Sequence, residues 1–257
     1  MAKFPGDLES SYSGVFAKLI ESINKQYIIE LRKALKDEKI EEAKIRESLK
    51  VNQSSYQKLL ARLKKIREKL FSKNLFKQTL ESMNNVMDRL AGGIEKNIKG
   101  EFKKAKFPIP QLSLKADSAE LNTAISRNVA LISKITEDQS KELEKAVLRS
   151  VQGGSDTAGI IKEVERISDE GRNYAEFVAR DQIAKAHGAI NKGMQTKSGF
   201  PGYIWRITND ARVRDDHKEQ AGKYFLWTEP PLLDNGNLHP GEDFQCRCIA
   251  EPAFFPE

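Results

Sequence analysis

The C-terminal part of the chain gathers its most chemically distinctive side chains. His217, His239, Cys246 and Cys248 lie within 32 residues, in a chain of 257 residues with only three histidines and two cysteines. Imidazole and thiolate are donors that zinc favours, and a structural zinc site takes four of them at tetrahedral corners. These four residues are therefore predicted to bind a structural zinc ion, which would stabilise a segment too short to bury much apolar surface.

A packing role for the same residues remains open. The spacing H-x21-H-x6-C-x-C matches no standard zinc finger. On a strand, Cys246 and Cys248 would point to one face as small hydrophobic residues, with Arg247 on the outer face. His217 would then be an ordinary hydrogen-bonding residue at the end of a turn.

A catalytic role for the histidine is the third hypothesis. His217 could be a general base that Asp210 or Asp215 orients. The sequence has no glycine-rich phosphate loop, no nucleophile elbow and no paired-carboxylate spacing to support this chemistry. The residues therefore support this hypothesis less than the metal site or the packing role.

The residues around the cluster have simpler predicted roles. Within Asp210-x-Arg212-x-Arg214-x-x-His217, the arginines are predicted to pair with neighbouring carboxylates and fix the loop, because guanidinium and carboxylate groups form bidentate pairs. Trp205 and Trp227 are predicted to be core residues of a small β element. A third histidine, at position 187, is expected on a helix, at the surface or half-buried, and outside the metal site.

The elements that must position these residues are mostly helical. Apolar residues repeat at helical spacing from Ser11 to about Lys106 and from about 118 to 151. A further helix is expected to close near Gly171, and another to run from about 173 to 196. Strands are predicted at 203–208 and 224–227, with a short helix within 212–220 and a polar loop before the cysteines. The predicted fold is mainly α, with a small β-containing, loop-rich C-terminal cap (α+β).

Charge and proline positions divide the chain. Residues 1–110 carry 24 Lys and Arg against 14 Asp and Glu, whereas residues 111–257 carry 19 against 23. Pro108 and Pro110 interrupt the helical pattern, so 107–113 is predicted to be a linker. We expect a basic helical extension at 1–110, a helical part at 111–200 and the cap at 201–257. Candidate contacts to DNA or an acidic partner are Lys58, Arg62, Lys64, Lys65, Arg67, Lys69, Lys73 and Lys77.

Composition excludes several classes of protein. No apolar run approaches the roughly 18 residues of a membrane span, and the N-terminus lacks the apolar stretch of a signal peptide. Two cysteines separated by one residue are a poor disulfide framework, so a secreted, oxidised scaffold is not expected. We expect a protein that folds in a cytoplasm.

The order of several short motifs resembles one known family. Residues 118–252 are similar to the conserved module of the MuF-like phage head morphogenesis proteins. The matching features are the helix around Asn128, the loop Gly153-Gly154-Ser155, Val178-Ala179-Arg180-Asp181-Gln182 followed by Asn191, the strand with Tyr203 and Trp205, the D-x-R-x-R-x-x-H string, and the terminal C-R-C. The first 110 residues are outside this resemblance.

The resemblance implies a role in the phage head. Members of the family are low-copy head proteins associated with the portal vertex, and in some systems they travel with the DNA on ejection. By this resemblance the chain would be a minor capsid protein and not an enzyme, made in the host cytoplasm and built into the virion. Its partners would be the portal protein, scaffold or major capsid protein, and double-stranded DNA. A DNA-binding ejection protein is the alternative, and a nuclease or toxin-like enzyme that uses His217 is a more remote one.

Overall fold

The described part of the chain is mainly helical. The computed structural model describes residues 4–37, 58, 61–66, 68, 73–109, 119–153, 155, 157–208 and 211–255. The elements are α1 (Gly6–Asp37), α2 (Lys73–Lys104), α3 (Ala119–Gln152), α4 (Thr157–Lys197), β1 (Gly202–Arg206), α5 (Asp215–Glu219), β2 (Tyr224–Leu226), β3 (Leu232–Leu233), β4 (Gly236–Asn237) and β5 (Ile249–Ala253). Residues 61–66 are also helical. The predicted fold class, mainly α with a small β-containing cap, is confirmed.

The first helix begins at a proline carbonyl. Pro5 O accepts the N–H groups of Leu8 at 3.0 Å and Glu9 at 3.1 Å. Asp7 and Glu9 lie in the first turn, where negative charge interacts favourably with the helix dipole. Along the helix, one apolar face is buried, and its members are Phe16, Leu19, Ile20, Ile23, Tyr27 and Leu31. This is the stripe that the i+4 spacing predicts.

One predicted helix break is wrong. The sequence suggested that a helix ends near Gly171, but α4 continues without interruption from Thr157 to Lys197. A Cβ atom built at Gly171 would lie 1.9 Å from Oε1 of Gln139. This glycine therefore gives room for a side chain from α3, and it does not end the helix.

The predicted interruption after α2 is present. Lys106 has a φ of 57° and Phe107 N–H donates to Phe102 O at 3.0 Å, a left-handed ending typical of helix C-termini. Residues 107–109 have no regular structure and are exposed, whereas 110–113 lie outside the described residues. The proposed linker boundary at 107–113 stays a prediction.

The chain divides into two compact units, each assembled from separate segments. One unit contains Met1–Ser13, Met83–Asn128 and Val178–Glu257, and the other contains Gly14–Ser82 and Val129–Phe177. In the second unit, buried amides join three helices. Gln139 Nε2 donates to Asn24 Oδ1 at 3.2 Å and to Ile167 O at 3.3 Å, and Asn24 Nδ2 donates to Ser168 O at 3.2 Å. Because these buried polar groups are paired, they fix the helix register without the cost of an unsatisfied group.

A three-stranded antiparallel sheet forms the centre of the C-terminal cap. Its strand order is β2-β1-β5, with Tyr203 opposite both Phe225 and Pro252. The strands predicted near 203–208 and 224–227 are present, each slightly shorter than expected. The segment predicted as a polar loop also contains the β3–β4 hairpin, whose Gly236 has a φ of 115°. That positive φ suits glycine and closes the turn.

Aromatic rings connect the end of α2 to the cap within the first unit. The ring of Phe102 lies 5.1 Å from Phe200 and 5.3 Å from Phe254, both in edge-on arrangements. Phe254 also stacks on Phe200 at 4.2 Å. None of the helices in the described ranges is long and apolar enough to cross a membrane.

Candidate metal centre

The structure brings three of the four predicted zinc ligands together. His217, Cys246 and Cys248 are buried, and their ligand atoms all lie within 4.8 Å of one another. Nδ1 of His217 is 3.5 Å from Sγ of Cys246 and 3.5 Å from Sγ of Cys248. Zinc bonds of about 2.3 Å to sulfur and about 2.0 Å to nitrogen, at a tetrahedral angle, place N and S about 3.5 Å apart. Both nitrogen–sulfur separations therefore match those around a tetrahedral zinc ion.

A short helix presents the histidine. His217 lies in the middle of α5, and the ring is buried at 2% exposure. The indole of Trp205 on β1 packs edge-on against the imidazole, with 5.6 Å between ring centres. On the far side of the ring, Nε2 is 3.1 Å from Oδ2 of Asp243. Trp205 and Asp243 thus hold the ring in an orientation that directs Nδ1 toward the two thiols.

The cysteines lie on a loop before β5, which corrects the interpretation that places them on a strand. The loop is docked on α4 by backbone contacts. Gln245, with a φ of 54°, donates its N–H to Asp181 Oδ1 at 2.7 Å. A Cβ atom at Gly188 would lie 2.9 Å from Pro240 O, so only glycine lets the loop approach α4 this closely. The two sulfurs nonetheless face one side, toward His217.

The same helix also holds the beginning of β5. Asn191 Nδ2 and Gln195 Nε2 both donate to Ala250 O, at 2.7 and 2.8 Å. Two α4 residues of the sequence motif therefore hold this region: Asp181 contacts the cysteine loop and Asn191 contacts β5. Gly188, which lies between them on the same helix, gives the loop room to approach.

The two thiols differ in acidity. The pKa of Cys246 is lowered, and the largest cause is a hydrogen bond from the Cys248 thiol. Burial raises this pKa, but hydrogen bonds from His217 and from the N–H groups of Cys248 and Gly241 lower it further. Each of the two N–H groups is 3.4 Å from Sγ of Cys246. The bond to Cys246, together with burial, raises the pKa of Cys248. Burial alone would lower the pKa of His217, but Cys246 and the nearby carboxylates raise it overall. Cys246 is therefore the more acidic thiol of the pair, and thiolate is the form that binds metal.

Asp243 is the carboxylate nearest to the imidazole ring, since Oδ2 of Asp216 lies 3.9 Å from Nε2 and Oδ2 of Asp243 lies 3.1 Å from it. Burial raises its pKa, but the Phe244 N–H, Asn235, Arg214 and His217 together lower the pKa below the ordinary value. Its neighbours are close: Arg214 Nη1 is 3.1 Å and Asn235 Nδ2 is 3.3 Å from Oδ2. Asp243 is therefore an anion surrounded by donors.

This contact corrects the carboxylate named in the catalytic hypothesis. Asp215 is 92% exposed and pairs with Lys218, so it does not orient the His217 ring. Asp210 lies outside the described residues. Arg214 pairs with Asp243 and not with the neighbouring Asp215, while Arg212 is exposed.

His239 lies outside the triplet of donors. Its Nδ1 is 2.9 Å from the hydroxyl of Tyr203, and the ring also hydrogen-bonds the backbone of Trp227. Burial lowers the pKa of His239, and the charge of Lys192 lowers it further. His239 is thus already engaged within the aromatic core of the cap. Trp205 and Trp227 belong to that core, as predicted.

The third histidine is more buried than expected. His187 on α4 is 6% exposed, and its ring lies 5.4 Å from that of Phe4. Burial lowers the pKa of His187 to about 4. As predicted, it is not part of the donor group.

Sequence reasoning missed Asp243, Asn235 and Asp181 as supporting residues. The sequence contained a signal for Asp243, because this carboxylate precedes Cys246 by only three residues in HPGEDFQCRC.

The structure describes only part of the predicted basic contact set. Lys58, Lys64, Lys65 and Lys77 are exposed and Arg62 is half-buried, but Arg67, Lys69 and the side chain of Lys73 lie outside the described residues.

Comparison with known proteins agrees with the motif resemblance. Residues 141–251 match the family model described as Phage Mu protein F like protein. The match includes all of α4, β1 and the three clustered donors, and it covers less than half of the chain. The resemblance inferred from the motifs is thereby confirmed for this segment.

A relative is found in Haemophilus influenzae (strain Rd). It is described as an uncharacterized protein and is 29% identical over 133 residues, which are 52% of this chain and 29% of that protein. The aligned segment thus spans less than a third of the relative. No solved structure matches.

Proposed function

We propose that this chain is a minor head protein of a tailed phage that acts in head morphogenesis at the portal vertex. The observation that carries the proposal is the Phage Mu protein F like match over residues 141–251. The contacts of the motif residues support a structural role. Asp181 and Asn191 bind backbone groups of the cap, and Gly188 between them lets the cap approach α4.

The burial of His217 argues for structure over catalysis. A general base must reach the proton that it removes. The His217 ring is 2% exposed, and its two nitrogens face Asp243 and the thiols. The cavity of about 330 Å³ beside Arg206, Glu251 and Phe254 does not include this residue in its lining. We therefore propose a role in assembly, with the portal protein as the main partner and scaffold or major capsid protein as further partners.

Co-expression with the cognate portal protein tests this role. The tagged portal should retain the chain through purification, and the chain should be present in procapsids in low copy. A matched control is the same tagged portal with an unrelated basic helical protein of similar size, which should wash away. If the chain is absent from procapsids and does not bind portal in solution, the proposal is wrong.

A DNA-binding ejection protein is the second candidate, and exposed lysines favour it. Lys64 and Lys65 are adjacent, exposed and on one helical stretch, and Lys58 and Lys77 are also exposed. Phosphate contacts by such residues weaken steeply as salt rises, because bound counterions are released. The double variant Lys64→Glu, Lys65→Glu should weaken duplex binding and reduce its salt dependence.

The control for this experiment lies on α1. Lys18 and Lys25 are also exposed, and they belong to the same compact unit as Lys64 and Lys65. The variant Lys18→Glu, Lys25→Glu makes the same change in net charge. If both double variants lose affinity equally, binding follows net charge and the predicted basic segment has no special role.

We also propose that His217, Cys246 and Cys248 supply three of the four ligands of one structural zinc ion. The 3.5 Å separations of Nδ1 from both sulfurs support this ligand set. His239 would have to leave Tyr203 and Trp227 to become a ligand, so it is not included in the proposed set. When bound, the ion would tie α5 to the cysteine loop, since binding energy at such a site is also folding energy.

A further inference from the structure

Asp243 joins three separate segments of the cap at one carboxylate. Oδ2 is 3.1 Å from His217 Nε2 on α5 and 3.1 Å from Arg214 Nη1. Asn235 of the β3–β4 turn reaches both oxygens, at 3.2 and 3.3 Å. The Phe244 N–H donates to Oδ1 at 2.7 Å. With these partners the carboxylate has a fixed position and all of its strong acceptor directions are used.

The position of Asp243 determines which nitrogen of the His217 imidazole carries the proton when the other binds a metal. A neutral imidazole carries its proton on one nitrogen and binds metal through the other. A carboxylate 3.1 Å from Nε2 favours the proton there, so the lone pair of Nδ1 points to the side where the two sulfurs lie at 3.5 Å. Partners of this kind, outside the ligand set, orient metal-binding histidines and raise their basicity.

We propose that Asp243 is the positioning residue of the metal centre, which fixes the Nε2–H tautomer and the ring direction of His217 so that Nδ1 is the ligand atom. The inference rests on the zinc site proposed above and names the residue that prepares it. Arg214 and Asn235 hold Asp243 in turn. This assigns a role to part of the D-x-R-x-R-x-x-H string: Arg214 holds the carboxylate that orients the histidine three positions further along the chain.

Zinc affinity of the full chain tests the role of Asp243. The protein is stripped with a chelator, and zinc binding is measured in competition with a chromophoric chelator. Asp243→Asn keeps the size of the side chain and removes the charge, and it should weaken zinc binding about 10- to 100-fold. The matched control is Asp215→Asn, the same change on α5 at an exposed residue that pairs with Lys218, and its affinity should equal that of the wild type.

A second measurement separates positioning from general loss of structure. In the zinc-loaded protein, ¹H–¹⁵N correlations of the imidazole should show His217 bound through Nδ1 with its proton on Nε2 in the wild type, and a mixture of forms in Asp243→Asn. In the cobalt-loaded proteins, the visible absorption of the variant should also change, because the ring direction changes. A variant with wild-type imidazole correlations and wild-type affinity would overturn the inference.

The outcomes distinguish the two proposals. If the wild type binds no zinc, the zinc proposal is wrong and the role of Asp243 falls with it. If the wild type binds zinc and Asp243→Asn binds it equally well, only the positioning role is wrong. If Asp243→Asn does not fold, Asn235→Ala replaces it: this variant removes the donor to both oxygens and should weaken zinc binding measurably, and an unchanged affinity would overturn the inference.

Discussion

Asp181 on α4 accepts the backbone N–H of Gln245, 64 residues further along the chain, at 2.7 Å. Gln245 has a φ of 54°, a conformation that residues other than glycine seldom adopt. The second oxygen of Asp181 pairs with Lys185 at 2.6 Å, which holds the carboxylate in place. One buried side chain therefore fixes the unusual turn that immediately precedes Cys246.

Replacement of Asp181 should loosen this turn. In Asp181→Ala the partly buried Gln245 N–H loses its acceptor, which should cost about 1 kcal/mol, the lower end of the range for a buried donor without a partner. Amide hydrogen exchange of residues 239–249 should accelerate more than exchange of α4 itself. Asp181→Asn is the control, because it keeps an acceptor oxygen and loses only the charge, and it should have the smaller effect. Equal acceleration in both variants would mean that the ion pair with Lys185, and not the hydrogen bond to Gln245, stabilises the turn.

Two helical glycines should respond oppositely to alanine. Alanine normally stabilises a helix interior by about 1 kcal/mol relative to glycine. A Cβ atom at Gly171 would lie 1.9 Å from Gln139, whose amide bonds Asn24, whereas a Cβ atom at Gly93 would meet nothing within 4 Å. We expect Gly93→Ala to raise the free energy of unfolding and Gly171→Ala to lower it by about 1–3 kcal/mol. Urea unfolding of both variants measures this, and stabilisation by Gly171→Ala would contradict the packing of Gln139.

Burial of His187 should make stability depend on pH. Its pKa is about 4 in the folded protein against 6.5 ordinarily, so between these values the unfolded chain binds more protons. The contribution of His187 to the free energy of unfolding is therefore fully present above about pH 6.5. It is lost as the pH falls toward 4, and the loss is about 2 kcal/mol near pH 5.

The variant His187→Leu removes the titrating group and keeps a similar volume. The difference in unfolding free energy between about pH 7 and pH 5 should be smaller in this variant than in the wild type by that amount. All other groups are shared, so the comparison isolates His187. An identical pH dependence in the two proteins would show that the histidine is not buried as a neutral side chain.

Local sequence patterns predicted the helices and strands of this fold well. They failed where the structure of a segment depends on residues far away in the sequence. The periodic apolar spacing of α1 and α3 was sufficient, because burial of one face is a local property of the sequence. Gly171 was misjudged because the side chain that needs its space, Gln139, lies 32 residues earlier on another helix. No local pattern contains that information.

The candidate metal centre was likewise predictable only in part. The residue types alone pointed to His217, Cys246 and Cys248, which the fold places close enough together to hold a metal ion, since soft donors are rare in this chain. They could not exclude His239, because its hydroxyl partner, Tyr203, is 36 residues away. The residues that support the site, such as Asp243, are common carboxylates whose role depends on the folded position of the ring that they contact.

Limited proteolysis should cut first near 107–116. Residues 107–109 follow the end of α2, have no regular structure and are exposed, and exposed irregular segments are the preferred sites of cleavage. The sequence suggests that 1–106 and 113–257 are separable, yet Phe102 packs on Phe200 and Phe254 across the cut. We expect a nicked protein whose fragments separate only in denaturant, as gel filtration followed by electrophoresis would detect. Initial cleavage inside the described helices would contradict the predicted boundary.

Zinc content should distinguish the two cap histidines. The purified chain should contain about one zinc ion, and Cys246→Ser, Cys248→Ser should contain none, because serine does not replace a thiolate ligand. His217→Ala should lose the metal as well, since Nδ1 lies 3.5 Å from both sulfurs. His239→Phe should keep it, because that ring bonds Tyr203 and the Trp227 backbone and not the thiols.

Thermal unfolding with and without chelator completes this test of the metal. Zinc bound at a structural site contributes its binding energy to folding, so chelation should lower the unfolding temperature of the wild type and of His239→Phe by similar amounts. The cysteine variant should not respond to chelator. If His239→Phe loses zinc while His217→Ala retains it, the ligand set proposed from the geometry is wrong. If the wild type contains no metal and its cap is still folded, then Cys246, Cys248 and His217 are packing residues, joined by the hydrogen bonds between the thiols and the imidazole.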